Sequence, residues 1–329
     1  MNKGQWNMIT DVADVHVGHV TLYEKLDAED TICTGVTAIL PHGGNLFEQK
    51  IPAASFVLNG FGKSVGLVQV EELGLIESPL MLTNTFSVAA VLDGTLDYML
   101  QQNPSIGDST SSLNIVVGEC NDSFLNSMRL RAVKPEHAIS AIRNAKHAPF
   151  GQGAIGAGKG MICYERKGGI GSSSRIVKRD GESFTVGVLA LTNFGNAGEC
   201  RFTSWQQNPP IEKPDGSVIV VIATDAPLSD RQLKRLAKRA AIGLGRTGTH
   251  IHNGSGDIMI AFSTAYTIPH QFSSPIGEAV AFVRDDSKIM NDLFQAAIEA
   301  TEESVYQSLL HAETTVGRKN RVVEKARFK

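Results

Sequence analysis

The residue with the most reactive surroundings is Ser255, set in His252-Asn253-Gly254-Ser255-Gly256-Asp257. A serine between two glycines has little steric cover, and a hydroxyl so placed can act as a nucleophile on a carbonyl. The apolar run Ile258 to Phe262 follows it, so the local pattern alone reads better as an ordinary Gly-Ser-Gly turn into a strand. The segment is not a nucleophile elbow, because Asn253 stands where GxSxG needs its first glycine. A Ser-His-Asp arrangement stays open, since such triads are assembled only by folding.

Three other groups of residues could do chemistry. Gly151-Gln152-Gly153-Ala154-Ile155-Gly156 matches GxGxxG, and Gly153 to Gly160 is close to a P-loop. The first lacks an apolar strand before it, and the second has Gly160 where a magnesium-binding Ser or Thr belongs. A glycine-rich turn that lets chain segments approach closely is the better reading. His16 and His19, and His250 and His252, are spaced like metal ligands but lack a third ligand, and HExxH is absent. No metal and no other cofactor is therefore expected. Glu302 falls between Ile298 and Val305, on what reads as the apolar side of the last helix, while Glu303 falls on another face. A carboxylate facing a core is costly unless paired or used.

The elements that must position these residues are partly legible. Apolar runs at Gly35 to Leu40, Ala53 to Leu58, Leu113 to Val117, Phe184 to Leu191, Val218 to Ala223 and Ile258 to Phe262 read as buried strands. Helical periodicity covers Asn84 to Met99 and Pro135 to Asn144, the latter with proline in its first turn. Ser229 to Gly245 is the clearest helix, with Ser229 as N-cap, Gly245 as stop, and Leu233, Leu236, Ala237, Ala240, Ala241 and Leu244 on one face. A last helix spans about Ile289 to Leu310. The stretch Thr203 to Gly216 has the composition of a linker or surface loop. Strands and helices in mixed order predict a layered α/β or α+β domain.

Composition narrows the function classes. The chain has 329 residues, of which 31 are basic and 34 acidic, for a formal net charge of -3, which argues against nucleic acid as the main partner. The basic cluster Arg231 to Arg246 has the spacing of a solvated helix face. Cys33, Cys120, Cys163 and Cys200 form no CxxC pair, which predicts free thiols in a reducing compartment. With neither a secretory h-region nor a long apolar span, the expectation is a soluble cytoplasmic protein without a membrane partner.

The order of several separate motifs resembles one family. These are Ile9-Thr10-Asp11-Val12, Val17-Gly18-His19, Leu82-Thr83-Asn84-Thr85, Val117-Gly118-Glu119-Cys120-Asn121-Asp122, Gly156-Ala157-Gly158 and Lys167-Gly168-Gly169-Ile170-Gly171. They continue with Asn193-Phe194-Gly195, Ile222 to Leu228, Gly243 to Gly248, Gly254-Ser255-Gly256-Asp257, Ala261 to Thr264 and Ala300-Thr301-Glu302-Glu303. Nearly end to end, the chain is similar to the DmpA-like D-aminopeptidases and β-aminopeptidases, self-processing hydrolases with an N-terminal nucleophile.

The resemblance implies a four-layer αββα fold, one catalytic domain over residues 1–329, and self-cleavage between Gly254 and Ser255 into an α chain 1–254 and a β chain 255–329. It implies that Ser255 is the nucleophile and, once freed, carries the α-amino base. Asn193 matches an oxyanion donor, Glu119 a carboxylate that binds the substrate's free amine, and Glu302 a carboxylate that supports the nucleophile. Asn121 stands where some members carry a tyrosine that aids the oxyanion. Ala300 stands where some carry a serine, so a different proton relay is expected, with Thr301, Ser263 or water as candidates. The implied substrates are short peptides, amides or esters with a free amine, D- and β-amino acid derivatives among them. The implied assembly is a homo-oligomer of processed units. The alternatives are acyl transfer of the ornithine acetyltransferase kind, which uses threonine where this chain has Ser255, and a nucleotide-binding module built on Gly151 to Gly160.

Overall fold

The structure, a computed structural model, describes residues 1–203, 216–272, 276–277 and 279–328. The chain begins β1 (His16–Lys25), β2 (Thr31–Leu40), β3 (Gln49–Gly60), α1 (Leu67–Leu73), β4 (Leu75–Ile76), β5 (Leu80–Asn84), α2 (Val88–Gln102), β6 (Val116–Cys120) and α3 (Pro135–Arg143). It continues through β7 (Ile162–Cys163), β8 (Arg166–Lys167), β9 (Ile170–Arg179), β10 (Glu182–Asn193), β11 (Ser217–Thr224) and α4 (Asp230–Thr247). It ends with β12 (Gly256–Ser263), β13 (Ile268–Pro269), α5 (Lys288–Leu310), β14 (Thr315–Val316) and β15 (Val322–Val323).

Two sheets carry the architecture. One has the order β1-β2-β5-β6, and the other the order β13-β3-β12-β11-β10-β9 with β4 added to β3. β11 and β12 are parallel, whereas β12 and β3, β11 and β10, and β10 and β9 are antiparallel. A parallel pair needs a crossover, and α4 supplies it.

Period-two alternation explains the layers. Leu189, Leu191, Ile219, Val221, Ile258 and Ile260 pack with Ile39, Leu80, Leu82 and Val116 in a core between the two sheets. Their alternates Val188, Ala190, Val218, Val220, Met259 and Ala261 pack beneath Leu236, Ala240 and Leu244 of α4 and Leu293, Ala297 and Val305 of α5. On the far side, Val36, Ala38, Met81 and Val117 meet Val91 of α2 and Ala138, Ala141 and Ile142 of α3. The result is four layers, αββα, within an α/β class.

Most expected elements form, with instructive shifts. Ser229 caps α4, accepting from Gln232 N while Gln232 Oε1 accepts from Ser229 N at 3.0 Å. Gly245 does not end that helix. Gly248 does, with φ of 116° that glycine alone adopts readily, so the stop lies three residues later than expected. The basic residues of α4 behave as a solvated face: Arg231 and Arg235 pair with Asp285, and Lys234 with Glu71. Asn84 caps a short 3-10 turn, so α2 begins only at Val88. The strand expected at Leu113 to Val117 runs instead from Val116 to Cys120. Of Thr203 to Gly216, only the two end residues lie within the described residues. Among the described residues, no helix is long and apolar enough to cross a membrane.

Candidate active site

Strand register brings distant residues into one row. Asn193, the last residue of β10, pairs with Ser217, the first of β11, which pairs with Gly256, the first of β12. With neighbouring strands about 4.8 Å apart, Asn193 and Gly256 stand roughly 10 Å apart at one end of the central sheet. Ser255 sits one residue beyond that edge.

The bond between Gly254 and Ser255 lies in a tight turn. Ser255 N donates to His252 O at 2.9 Å. Asn59 Nδ2 of β3 donates to His252 O at 2.8 Å and to Asn253 O at 3.3 Å, pinning the turn from the neighbouring strand. Glu199 Oε1 lies 2.7 Å from His252 Nε2 and holds the turn from the other side. Ser255 itself is buried, and its Oγ donates to Asp257 Oδ1 at 2.8 Å. Burial pushes the Asp257 carboxyl up to about 6, against the Ser255 hydrogen bond and the nearby His252, which pull it down.

Asn193 is held in one orientation. Its Oδ1 accepts from Ile162 N at 3.0 Å, and its Nδ2 donates to Asn121 O at 2.9 Å. The first bond fixes which end is the amide nitrogen, and the second uses one of its two hydrogens, leaving one to donate. The side chain of Asn121 closes its own turn, with Oδ1 accepting from Ser123 N at 2.9 Å.

Glu119 lies near the end of β6 in the other sheet, buried, with both oxygens engaged. Lys63 N donates to Oε1 at 2.7 Å, and Thr85 Oγ1 donates to Oε2. Glu119, Asn121 and Ser217 line one cavity of about 130 Å3 with Phe61, Lys63, Thr85 and Gly216. Thr85 also lines a wider cleft of about 960 Å3 that runs past Phe86, Asp93 and Arg131. Another broad cleft, of about 730 Å3 over Phe56 and Lys238, holds none of the expected site residues.

Glu302 departs from expectation. The buried stripe of α5 runs through Ala297, Thr301, Ser304 and Ser308, which leaves Glu302 at its rim, a third exposed. Its partner is Arg246 of α4 at 3.6 Å, and it has no hydrogen bond to Ser255. Glu303, not Glu302, is the well-engaged carboxylate, bonded to Arg175 Nη2 at 2.7 Å and Asn7 Nδ2 at 2.8 Å. Ser263 lies at the opposite end of β12 from Ser255, roughly 26 Å along the strand, and donates to Ala226 O. It cannot relay a proton to Ser255. Thr301 faces Gly243 of α4, where a side chain would collide with it.

The glycine-rich loop is structural. Gly153 exchanges backbone hydrogen bonds with Ile170, and Gly156 packs against Thr37 and His19 of the first sheet. Carbonyls of Gly158, Met161 and Gly168 surround Lys167 Nζ at 3.1, 2.7 and 2.7 Å. Burial lowers that amine to about 7.

Several site residues carry no motif. Ser217 and Asn59 enter only through strand register, and Thr85 and Lys63 only through the approach of the two sheets. Asp257 had a signal: two residues after Ser255 at a strand start, it points the same way.

Three comparisons bear on this geometry. The model of peptidase family S58 matches residues 7–323. The β-peptidyl aminopeptidase BapA of Sphingosinicella microcystinivorans is 39% identical over 95% of this chain and 84% of that protein. A crystal structure of a Pyrococcus horikoshii protein superposes with a TM-score of 0.90 at 46% identity, covering 98% of this chain and 92% of that one. The L-aminopeptidase D-Ala-esterase/amidase of Ochrobactrum anthropi, described as a new variant among the Ntn hydrolase fold, superposes with a TM-score of 0.89 at 34% identity, covering 99% and 92%.

Proposed function

This chain belongs to peptidase family S58 and is an aminopeptidase, and we propose that it makes its own active site by cutting the bond between Gly254 and Ser255. The observation that supports this most directly is the register Asn193–Ser217–Gly256, which sets an oriented amide and the Gly254–Ser255 turn at one sheet end beside the cavity of Glu119.

In this reading the cut yields a chain of residues 1–254 and a chain beginning at Ser255. The nitrogen now bonded to His252 O becomes a free α-amine beside the hydroxyl. Such an amine titrates at about 7.7–8.0 and can take the hydroxyl proton at neutral pH without a histidine. Ser255 then attacks the substrate carbonyl and forms an acyl-enzyme that water opens. Asn193 donates its remaining amide hydrogen to the developing oxyanion, and Asn121 assists from the cavity wall.

Glu119 supplies the selectivity. A buried carboxylate in a cavity of about 130 Å3 attracts a compact cation, and the substrate's free amine is one. That contact places the first residue and lets the rest of a short peptide run past Thr85 into the wider cleft. The names of the Sphingosinicella and Ochrobactrum relatives make β-peptides and D-alanyl esters or amides the first substrates to try. Ser255 in place of threonine sets the acyl-transfer alternative aside, and the packed glycine loop offers no nucleotide cradle. Four cysteines outside any disulfide fit a reducing cytoplasm, and a homo-oligomer of processed units is the proposed assembly.

The test is intact mass with a peptidase assay. Wild type should resolve into two chains that begin at Met1 and Ser255, and Ser255→Ala should stay whole and inactive. Wild type that remains a single 329-residue chain through prolonged incubation overturns the proposal.

A further inference from the structure

Self-cleavage poses a problem of order. The α-amine that serves as base in the finished enzyme does not exist until the bond before Ser255 has broken, so the first reaction needs another base. Resting on the self-processing reading above, we propose that Asp257 is that base, a catalytic residue of the cleavage step.

Geometry carries the assignment. Ser255 Oγ has Asp257 Oδ1 as acceptor at 2.8 Å, which is within proton-transfer reach. Asp257 is 1% exposed, and its Oδ2 has no hydrogen-bond partner among the described residues. A buried carboxylate left half-satisfied costs free energy, and a role in moving a proton accounts for its retention. The backbone is suited to the task. β3 shifts register opposite Asp257 and Ile258, so the strand is irregular beside the reacting residue.

The surroundings keep this carboxyl near neutrality in its affinity for protons. Its cross-strand partners, Asn59 on β3 and Val218 on β11, carry no charge. The buried face of α4 over the sheet presents Ala240, Gly243, Leu244 and Thr247, none of them titratable. Cys120 on β6 is a thiol that burial raises well above its ordinary range, so it stays neutral. Tyr164, bonded to Thr247, is likewise raised by burial. The ionisable neighbours are Glu119 beyond Cys120 and His252 on the turn. Desolvation dominates and lifts Asp257 to about 6, so it is ionised at neutral pH yet a stronger base than an exposed carboxylate.

The step balances as follows. Asp257 Oδ1 accepts the Ser255 hydroxyl proton as Oγ bonds to the Gly254 carbonyl carbon. The tetrahedral adduct collapses by breaking the bond from that carbon to Ser255 N, and Asp257 returns the proton to the departing nitrogen. The resulting ester is opened by water, which leaves a Gly254 carboxylate and restores the Ser255 hydroxyl. One peptide bond and one water are consumed, and Asp257 ends as it began.

The experiment follows disappearance of the intact chain by mass after cell-free synthesis, at pH values from 4.5 to 8, for wild type, Asp257→Asn and Asp257→Glu. Wild-type processing should lose about tenfold in rate per pH unit below about 6 and level off above it. Asp257→Asn should process at least about 100-fold more slowly with that break gone, and Asp257→Glu should keep it. Asp257→Asn that cuts at the wild-type rate, or with the same break, overturns the assignment. Should Asp257→Asn fail to fold by circular dichroism, the wild-type profile decides: a break near pH 6 supports Asp257, and no break between pH 5 and 7 overturns it. Wild type that never cuts at any pH refutes self-processing itself, a separate outcome.

Discussion

His252 Nε2 and Glu199 Oε1 lie 2.7 Å apart, which ties the turn before Ser255 to the segment that follows β10. Glu199 is itself fixed by Asn196, whose backbone N donates to Oε2 at 3.2 Å. With Asn59 of β3 on the opposite side, the turn is gripped between a strand and the 3-10 turn that follows β10.

A looser turn spends less time in a reactive geometry. His252→Ala is expected to slow appearance of the two fragments by about tenfold, since small misplacements of reacting groups cost one to two powers of ten. A time course by intact mass measures it. Fragments appearing at the wild-type rate would show that Asn59 and the backbone bond suffice.

Asn193→Ala removes the oriented amide. Loss of one oxyanion donor costs about 3–4 kcal/mol in the transition state, so kcat should fall about 100- to 1000-fold with KM nearly unchanged. The same change leaves Ile162 N buried without its acceptor, so melting should also drop by an amount equivalent to about 1–3 kcal/mol. Asn193→Asp keeps the acceptor for Ile162 N but sets its second oxygen against Asn121 O, so it should restore neither full stability nor kcat.

Glu119→Gln removes the charge and keeps one acceptor oxygen for Lys63 N, while its amide NH2 takes the second position and can donate to Thr85 Oγ1. KM for substrates with a free amine should rise about 10- to 100-fold, the scale of a lost charge-assisted bond. Turnover of an N-acetylated ester should be unaffected or improved. Equal losses on both substrates would argue against amine recognition.

Stability should depend on pH through His19. The ring is half-buried with Nδ1 on Thr37 Oγ1, and desolvation lowers its pKa from 6.5 to about 4. The folded form therefore binds its proton less readily than the unfolded form. Its full contribution is present above pH 6.5 and is lost as pH falls through 4, a change on the order of 3 kcal/mol. His19→Asn should flatten the decline in melting temperature between pH 6.5 and 4.

Close approach of helix and sheet predicts one sensitive glycine. A β-carbon at Gly171 would stand 1.9 Å from Ser304 O of α5. Gly171→Ala should destabilise by at least about 2–3 kcal/mol, because backbone rather than a flexible side chain must yield. Urea midpoints measure the difference.

Legibility in the sequence followed the hydrophobic pattern. β11 and β12 were visible because their apolar runs are buried on both faces, and α4 because its cap and stripe agree. β9 was hidden by Ser172, Ser173 and Ser174, which are fully buried yet polar, their hydroxyls taken up by Val188 O, Asn7 and Asp11. β1 was hidden because its second half is solvent-facing and carries polar residues. At the site, Ser255, Asn193, Glu119 and Asn121 were singled out through resemblance, since no spacing links positions that only register brings together. Glu302 was read onto the apolar side because a residue at the rim of a stripe has the same spacing to its apolar neighbours as one at its centre. Asp257 stood in plain view, but its chemistry depends on burial, which spacing does not report.

The placement of β12 has a consequence for the life of the finished molecule. Its hydrogen-bonding neighbours are β3 and β11, both of which precede the proposed cut. A chain starting at Ser255 would thus be threaded through the middle of a sheet owned by the other chain, with α5 clasped over it against α4. Two such fragments synthesised apart would face a sheet with its centre missing, and neither could complete it by simple docking. Once severed, the molecule holds a topology it could reach only while whole, and denaturation should be a one-way loss that mixing the separated pieces does not reverse.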